Sequence, residues 1–256
     1  MTADYSKSTT LQSLLKDIDS RKARLDECRD RVSSRITEAL NIEYTYDSNR
    51  IEGNTLTLRE TDLVINKGLT IGGKSLKEHL EAVNHYEAIQ YIRELSEAGT
   101  VFSEKIVKDI HAIILQGIDR ENAGRYRSVP VAISGSRHIP PQPWQVPVLM
   151  EQLVAWFAEK ESVLHPVILA AEVHERIATI HPFIDGNGRT ARLVMNLLLM
   201  QRGYLVVNIA GDTDSRLAYY NALEKCNLED DKGDFVELIA GYVLKSLDGV
   251  LVRVDS

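Results

Sequence analysis

The sequence predicts an all-α domain that carries one small β-hairpin, and three observations lead to this expectation. Apolar residues recur at helical spacing through most of the chain. One short segment, residues 121–147, departs from that pattern because it holds five of the seven prolines. The chain has 256 residues, of which 44% are hydrophobic, and this is enough for one well-buried domain.

The helices are predicted in order from their apolar stripes and their end signals. Leu11, Leu15 and Ile18 recur at helical spacing and indicate the first helix. Thr57 and Glu60 fit a capping box at the start of the second helix. The predicted helices cover residues 10–47, 57–66, 75–97, 103–115, 146–160, 166–180, 190–201, 213–228 and 233–247.

Two of these segments carry further information about the architecture. Residues 190–201 are apolar almost all round, which is typical of a helix buried in the middle of a bundle. Residues 129–136 alternate in short stretches and reach a turn near Gly135, which predicts the β-hairpin. No repeat, low-complexity tract or long linker divides the chain. We therefore expect a single domain over residues 1–256.

Composition excludes several classes of protein. The formal net charge is -7, which argues against a general nucleic-acid binder because such a protein needs a basic face. The two cysteines, Cys28 and Cys226, have neither zinc-site spacing nor a disulfide framework. The sequence has no apolar run of membrane-spanning length and no signal peptide at its N-terminus. We expect a soluble, cytoplasmic protein with no membrane or nucleic-acid partner.

Residues 181–192, HPFIDGNGRTAR, are the most informative stretch of the chain. His181 can accept a proton near neutral pH, and Asp185 can hold a hard cation such as Mg²⁺. The turn at residues 186–188 lets main-chain N–H groups face an anion, an arrangement that a following helix strengthens through its dipole. Arg189 and Arg192 lie three residues apart on one face of that helix and can bind phosphates. This set of side chains suits a nucleotide polyphosphate.

The stretch resembles the signature of the Fic family, HPF-x-[D/E]-GNGR-x-x-R, with every defined position filled. Members of this family mostly transfer AMP from ATP to a hydroxyl side chain of a protein. The resemblance implies a Fic-type helical bundle in which His181 is the general base and Asp185 holds Mg²⁺. It also implies phosphate binding by the remaining motif residues, which are Gly186, Asn187, Gly188, Arg189 and Arg192. One branch of the family has Lys at the position of Gly188 and transfers phosphate, so Gly188 favours AMP transfer.

A second motif lies at residues 48–54, SNRIEGN. A plain reading is a helix that ends at Gly53 with a carboxylate in its last turn, where the helix dipole disfavours negative charge. The motif resembles the inhibitory motif of one Fic class, [S/T]-x-x-x-E-[G/N], carried by a helix over about 44–54. The resemblance implies that Ser48, Glu52 and Gly53 form this motif and that Glu52 pairs with Arg192, which would otherwise bind the γ-phosphate of ATP.

The resemblance also assigns the hairpin and a late helix. The hairpin, about 127–139, resembles the Fic flap, whose edge holds the target by strand pairing; Val131 and Ile133 are its candidate contacts. The alternative is an ordinary surface hairpin. Tyr220, Leu223 and Asn227 are candidates for the adenosine pocket, although aromatic residues at helical spacing are usually core.

Together these features imply a protein adenylyltransferase that uses ATP and Mg²⁺ and modifies a Ser, Thr or Tyr hydroxyl of a target protein. Residues 1–56 would be an N-terminal helical segment that includes the inhibitory helix, and residues 57–247 the Fic core. Self-modification, removal of AMP with the help of Glu52, and a homodimer are further implications of the resemblance. The alternative is a catalytically silent, nucleotide-binding regulatory module.

Overall fold

The computed structural model of the protein describes residues 5–229 and 231–255. Within these residues the chain forms ten α-helices and no β-strand. The helices are α1 (Thr9–Glu27), α2 (Ser34–Ile51), α3 (Leu58–Lys67), α4 (Leu76–Glu97), α5 (Glu104–Ile114), α6 (Val146–Lys160), α7 (Pro166–Ile180), α8 (Asn187–Gln201), α9 (Thr213–Glu229) and α10 (Gly233–Val254). None of these described helices is long and apolar enough to cross a membrane.

Helix α8 lies at the centre of the bundle. Every residue from Leu193 to Leu199 is at most 4% exposed, because this helix packs against α7, α4 and α5. Helix α10 packs against α1 and α7. The all-round apolar sequence of α8 thus has the buried position predicted for it. The turn that joins α7 to α8 and the start of α8 carry the motif of residues 181–192. The motif therefore adjoins the buried helix at the centre of the bundle.

Helix α2 begins at a break that the apolar spacing did not reveal. The single helix predicted over residues 10–47 is two helices, α1 and α2, separated at residues 28–33. The hydroxyl of Ser33 accepts the N–H of Ile36 at 3.3 Å and so caps the second helix. Helix α2 then runs to Ile51, and Gly53 leaves it with a φ of 96°. The C-terminus of α2 is thereby directed at the turn between α7 and α8.

The β-hairpin predicted over residues 129–136 is wrong. In the structure this region is an irregular loop, although Ser136 N–H donates to the Ile133 carbonyl at 3.2 Å and forms the predicted turn. The physical reason is a shortage of donors: Pro130 on one side, and Pro140 and Pro141 on the other, have no N–H for a strand ladder. We call residues 127–139 the flap segment.

Candidate functional site

The turn between α7 and α8 gives His181 an unusual main-chain conformation. His181 ends α7 with φ 50° and ψ 59°, and it is the one non-glycine residue with positive φ in the described part of the chain. Its N–H still donates to the Ile177 carbonyl at 2.9 Å. Left-handed conformations cost a residue with a side chain about 1–2 kcal/mol, and such strain is concentrated at functional sites.

The imidazole of His181 is held in one tautomer. Its Nδ1 lies 3.3 Å from the Ala178 carbonyl, which can only accept a hydrogen bond, so the proton resides on Nδ1. Burial lowers the pKa of His181, and the nearby Arg127 and His138 act in the same direction, while the Ala178 carbonyl and Glu52 oppose it. The ring is therefore neutral near pH 7, with the lone pair of Nε2 free to accept a proton.

The loop that follows His181 is closed by its own side chains. The Asn187 amide accepts the N–H of Phe183 and donates to the Phe183 carbonyl, both at 2.9 Å. Gly186 has φ 76° at the start of α8, a conformation that favours glycine. The Asp185 carboxylate accepts the N–H of Gly186 at 2.6 Å and remains 53% exposed. The loop thus brings an exposed carboxylate beside a helix N-terminus.

Arg192 is fully buried, and each of its three guanidinium nitrogens has at least one hydrogen-bond acceptor. Its Nε donates to Ser48 Oγ at 3.0 Å, and its Nη2 donates to the Ser48 carbonyl at 2.9 Å and to Glu52 Oε1 at 2.7 Å. Its Nη1 donates to the Tyr219 hydroxyl at 3.4 Å. Burial is the largest influence and acts to lower the pKa of Arg192, but Glu52, Tyr219 and Tyr44 together outweigh it and raise that pKa.

The Glu52 carboxylate covers the first turn of α8. A β-carbon added to Gly188 would collide with Glu52 Oε1 and lie 3.1 Å from Arg192 Nη1, so the carboxylate rests on the main chain of Gly188. The Glu52 side chain is 30% exposed, whereas Arg192 is not exposed at all. A negative group therefore stands at the positive end of α8, on the face that carries the arginine.

Arg189, one turn before Arg192, has weaker partners. Its Nη1 lies 3.2 Å from Glu81 Oε1, and its Nη2 lies 3.7 Å from Asp185 Oδ1. Nevertheless Nε and Nη1 make no hydrogen bond to any described residue, although the side chain is only 2% exposed. The 3.2 Å contact is thus an ion pair whose angle does not suit a hydrogen bond. Buried donors of this kind are rare without a partner.

The candidate adenosine residues share one side of α9. The Tyr220 hydroxyl donates to the Ile51 carbonyl at 3.1 Å, at the end of α2 that carries Glu52. Asn227 accepts the Thr179 hydroxyl at 2.6 Å, two residues before His181. Leu223 lies between them and is partly buried against the core. The structure therefore brings these three residues to the same end of the bundle as the motif.

The flap segment lies over α9 and α7. Arg137 N–H donates to Glu224 Oε1 at 2.8 Å, and the imidazole of His138 lies 2.9 Å from the Thr179 carbonyl. Val131 and Ile133, the candidate target contacts, are partly buried and lie in this loop. The flap segment is therefore held beside the turn between α7 and α8 without forming a strand.

Sequence patterns did not single out three residues that build the site. His111 stacks on Phe183 with ring centroids 3.6 Å apart, accepts the Gly124 N–H at Nδ1 and donates from Nε2 to the Asp185 carbonyl. Tyr219 connects Arg192 to His174 through its hydroxyl. Arg127 binds the His181 carbonyl. Each depends on a partner far away in sequence, which spacing along one chain does not reveal.

The described residues contain no group of three or more His, Cys, Asp or Glu side chains placed to hold a metal ion. Asp185 is the carboxylate of the turn that is exposed, and Lys77 Nζ lies 3.8 Å from its Oδ2. A metal at Asp185 would therefore have to take most of its ligands from a bound phosphate or from water.

Comparison with known proteins identifies the class that this fold and turn define. Residues 101–199 match the model of the Fic/DOC family. A fragment of Fic-1 from C. elegans has a similar structure, with a TM-score of 0.84 and 28% identity over 96% of this chain and 73% of that chain. A signaling protein with a Fic domain from Bacteroides thetaiotaomicron gives a TM-score of 0.80 and 28% identity over 96% and 97% of the two chains.

The chain carries a domain of the Fic/DOC family at residues 101–199. The protein adenylyltransferase Fic of Culex quinquefasciatus is 36% identical to it over 248 residues, which cover 92% of this chain and 49% of the relative. The chain thus spans about half the length of the curated relatives that it matches.

Proposed function

We propose that this protein transfers AMP from ATP to a hydroxyl side chain of a target protein, and that Glu52 restrains the reaction. The observation that carries the proposal is the arrangement around α8: a neutral histidine, an exposed carboxylate and two buried arginines surround one helix N-terminus. The name of the Culex relative, a protein adenylyltransferase, supports the same reaction.

The reaction assigns a role to each motif residue. The target hydroxyl gives its proton to His181 Nε2 while its oxygen bonds to the α-phosphorus of ATP. The bond from that phosphorus to the bridging oxygen breaks, and pyrophosphate leaves. The negative charge of the phosphates is stabilised by Arg189, by the N–H groups of Asn187 and Gly188, and by the dipole of α8.

Asp185 suits the Mg²⁺ that such a reaction uses. Its carboxylate is 53% exposed and its Oδ2 lies 3.8 Å from Lys77 Nζ, a loose contact that a cation can displace. Mg²⁺ binds through few protein carboxylates and shares its shell with phosphate oxygens and water. When bound, it would neutralise charge on the phosphates of ATP.

The remaining candidates bind the two ends of the substrates. Tyr220, Leu223 and Asn227 offer an aromatic face, an apolar surface and an amide to the adenosine. Val131 and Ile133 lie in the flap segment. This segment would bind the target protein through its main-chain groups, as a loop and not as a strand. A homodimer and removal of AMP by the same site stay predictions from the family resemblance, and a cytoplasmic location stays a prediction from the composition of the sequence.

Restraint by Glu52 follows from competition for one guanidinium. Arg192 directs four of its five N–H donors at Ser48, Glu52 and Tyr219, so it cannot bind a γ-phosphate with two donors unless one of these bonds is given up. The Glu52 carboxylate also lies against the main chain of Gly188, so its negative charge occupies the place where a phosphate would bind. In this proposal residues 1–56 are the regulatory segment and residues 57–247 the catalytic core.

Intact-protein mass spectrometry after incubation with Mg²⁺ and ATP tests the proposal. We expect added AMP mass on Glu52→Gly, and none on the wild type or on Glu52→Gly combined with His181→Ala. Equal modification of all three proteins would contradict the role of His181. If Glu52→Gly binds ATP in calorimetry yet never transfers AMP to itself or to proteins of a cell extract, the alternative of a silent nucleotide-binding module is correct.

A further inference from the structure

Arg127 is a buried cation whose side-chain partners are main-chain carbonyls. It is 3% exposed, and burial lowers its pKa. Its Nε donates to the His181 carbonyl at 2.8 Å, its Nη1 donates to the Val129 carbonyl at 3.3 Å, and its Nη2 donates to the Pro141 carbonyl. Moving a guanidinium out of water costs free energy unless hydrogen bonds compensate for it. The bonds to these three carbonyls therefore hold Arg127 in its buried position.

These contacts join three separate pieces of chain. Val129 follows the start of the flap segment, and Pro141 lies two residues beyond its end. The main-chain N–H of Arg127 donates to the Pro182 carbonyl at 2.9 Å, while its side chain binds the preceding carbonyl, that of His181. One residue therefore fastens both ends of the flap segment to the first two residues of the catalytic motif.

The contact with His181 has a specific consequence for the base. Because His181 is in the left-handed region, its conformation must be held by its surroundings. Arg127 binds the carbonyl of His181 itself. The guanidinium therefore fixes the orientation of the peptide group that joins His181 to Pro182. Prolines at 130, 140 and 141 give the flap few main-chain bonds of its own, which makes the side-chain anchor more important.

We propose that Arg127 is a positioning residue that holds His181 in its left-handed conformation and sets the flap segment in register with it. The base and the surface that receives the target then keep one fixed relation, and the target hydroxyl arrives at Nε2. This inference rests on the proposed function above, because it assumes that His181 is the base and that the flap segment receives the target.

The test uses Arg127→Met, Arg127→Lys and Arg125→Met, each in the Glu52→Gly background. Arg125 is the matched control, because it is an exposed arginine two residues away with the same charge. Three quantities are measured: kcat for AMP transfer, the Kd of ATP by calorimetry, and the pKa of the His181 imidazole by NMR.

We expect kcat of Arg127→Met to fall about a hundredfold, since a small misplacement of a reacting group has an effect of that size. The Kd of ATP should stay unchanged, because its phosphate ligands lie on α8. The pKa of His181 should rise in Arg127→Met, because a nearby positive charge is lost. The substitution at Glu52 and the titratable neighbour His138 are the same in the Arg125→Met control, so they do not contribute to the difference. Arg127→Lys, which keeps the charge, should lose less rate, and Arg125→Met should match the parent.

Three results would overturn the role proposed for Arg127. An unchanged kcat in Arg127→Met is the first, and a parallel loss of kcat and ATP binding, which would indicate general disruption, is the second. A lower kcat with an unchanged His181 pKa is the third, because the effect would then arise from the flap segment alone. If Arg127→Met does not fold, Arg127→Lys is judged by the same criteria. If the Glu52→Gly parent transfers no AMP, the proposed function fails, while the NMR comparison still decides whether Arg127 acts on His181.

Discussion

Arg189 and Arg192 begin the same helix, one turn apart, and are both buried, yet their surroundings differ. Arg192 donates four hydrogen bonds, to Ser48, Glu52 and Tyr219. Arg189 has two carboxylates within 3.7 Å, while its Nε and Nη1 make no hydrogen bond to any described residue. In the proposed phosphate site, one arginine therefore has its nitrogens paired by the protein itself, and the other still has donors to offer.

This difference shows how a site can be restrained without being distorted. The end of α2 supplies acceptors to one arginine and leaves the turn around His181 and Asp185 formed. Releasing the end of α2 would thus free a site that already has its shape, and the cost of activation would include the loss of the contacts at Arg192 and of the hydrogen bond from Tyr220 to Ile51. Substitutions at these residues test the contrast, and the stability of the nucleotide-free protein should respond most strongly.

Arg192→Lys should destabilise the nucleotide-free protein more than Arg189→Lys does. Lysine cannot reproduce the forked set of bonds to Ser48 and Glu52, so we expect a loss of about 2–3 kcal/mol in the free energy of unfolding. Arg189→Lys should lose about 1 kcal/mol or less, because it breaks no well-formed hydrogen bond. Urea unfolding followed by circular dichroism gives both values, and equal losses would remove the contrast.

Glu52→Gln should raise ATP affinity about 10- to 100-fold. It removes a charge-assisted hydrogen bond of about 1.5–3 kcal/mol that competes with the γ-phosphate. Glu43→Gln is the matched control, because Glu43 is on the same helix and pairs instead with Arg253. Calorimetry with Mg²⁺-ATP measures both. The same affinity in the two variants would mean that Glu52 does not compete with ATP.

Ser48→Ala should raise ATP affinity by a smaller factor, about fivefold. It removes the hydroxyl that accepts Arg192 Nε but leaves the Ser48 carbonyl and Glu52 in place, a change of about 1 kcal/mol. The same calorimetric titration applies. An effect as large as that of Glu52→Gln would show that the hydrogen bonds, and not the negative charge, restrain the site.

The acid limb of the rate profile should differ slightly between these two variants. His181 must be neutral to act as a base, and burial lowers its pKa, so kcat should be lost only as pH falls through a value below 6.5. Glu52 raises that pKa, hence Glu52→Gln should move the limb further down than Ser48→Ala, which keeps the carboxylate. Identical limbs would mean that Glu52 does not act on the base.

Sequence patterns predicted the helices well and the loops poorly. Pro166, the Thr57–Glu60 capping box and the apolar run of α8 each act locally, and the structure has helices where they were predicted. The break before Ser33 and the irregular flap segment were not predicted, because they depend on competing caps and on the lack of a ladder partner. Alternation of residue types indicates a strand only where another strand can pair with it.

The candidate site divides in the same way. Residues 181–192 could be recognised because they are consecutive, and the Ser48–Glu52 motif because its spacing is fixed within one helix. The supporting residues His111, Arg127 and Tyr219 were missed. Each makes its contact with a residue more than 25 positions away, and a single sequence contains no record of such pairs.

Local spacing and residue type were enough to establish the helical content, and they predicted the chemistry of the turn and the two arginines that follow it. Packing of the bundle was needed to establish that every guanidinium nitrogen of Arg192 has an acceptor while Nε and Nη1 of Arg189 have none among the described residues, and that His181 is buried and neutral. Those properties arise from burial and from acceptors on α2, α4 and α9, which approach α8 only when the chain is folded.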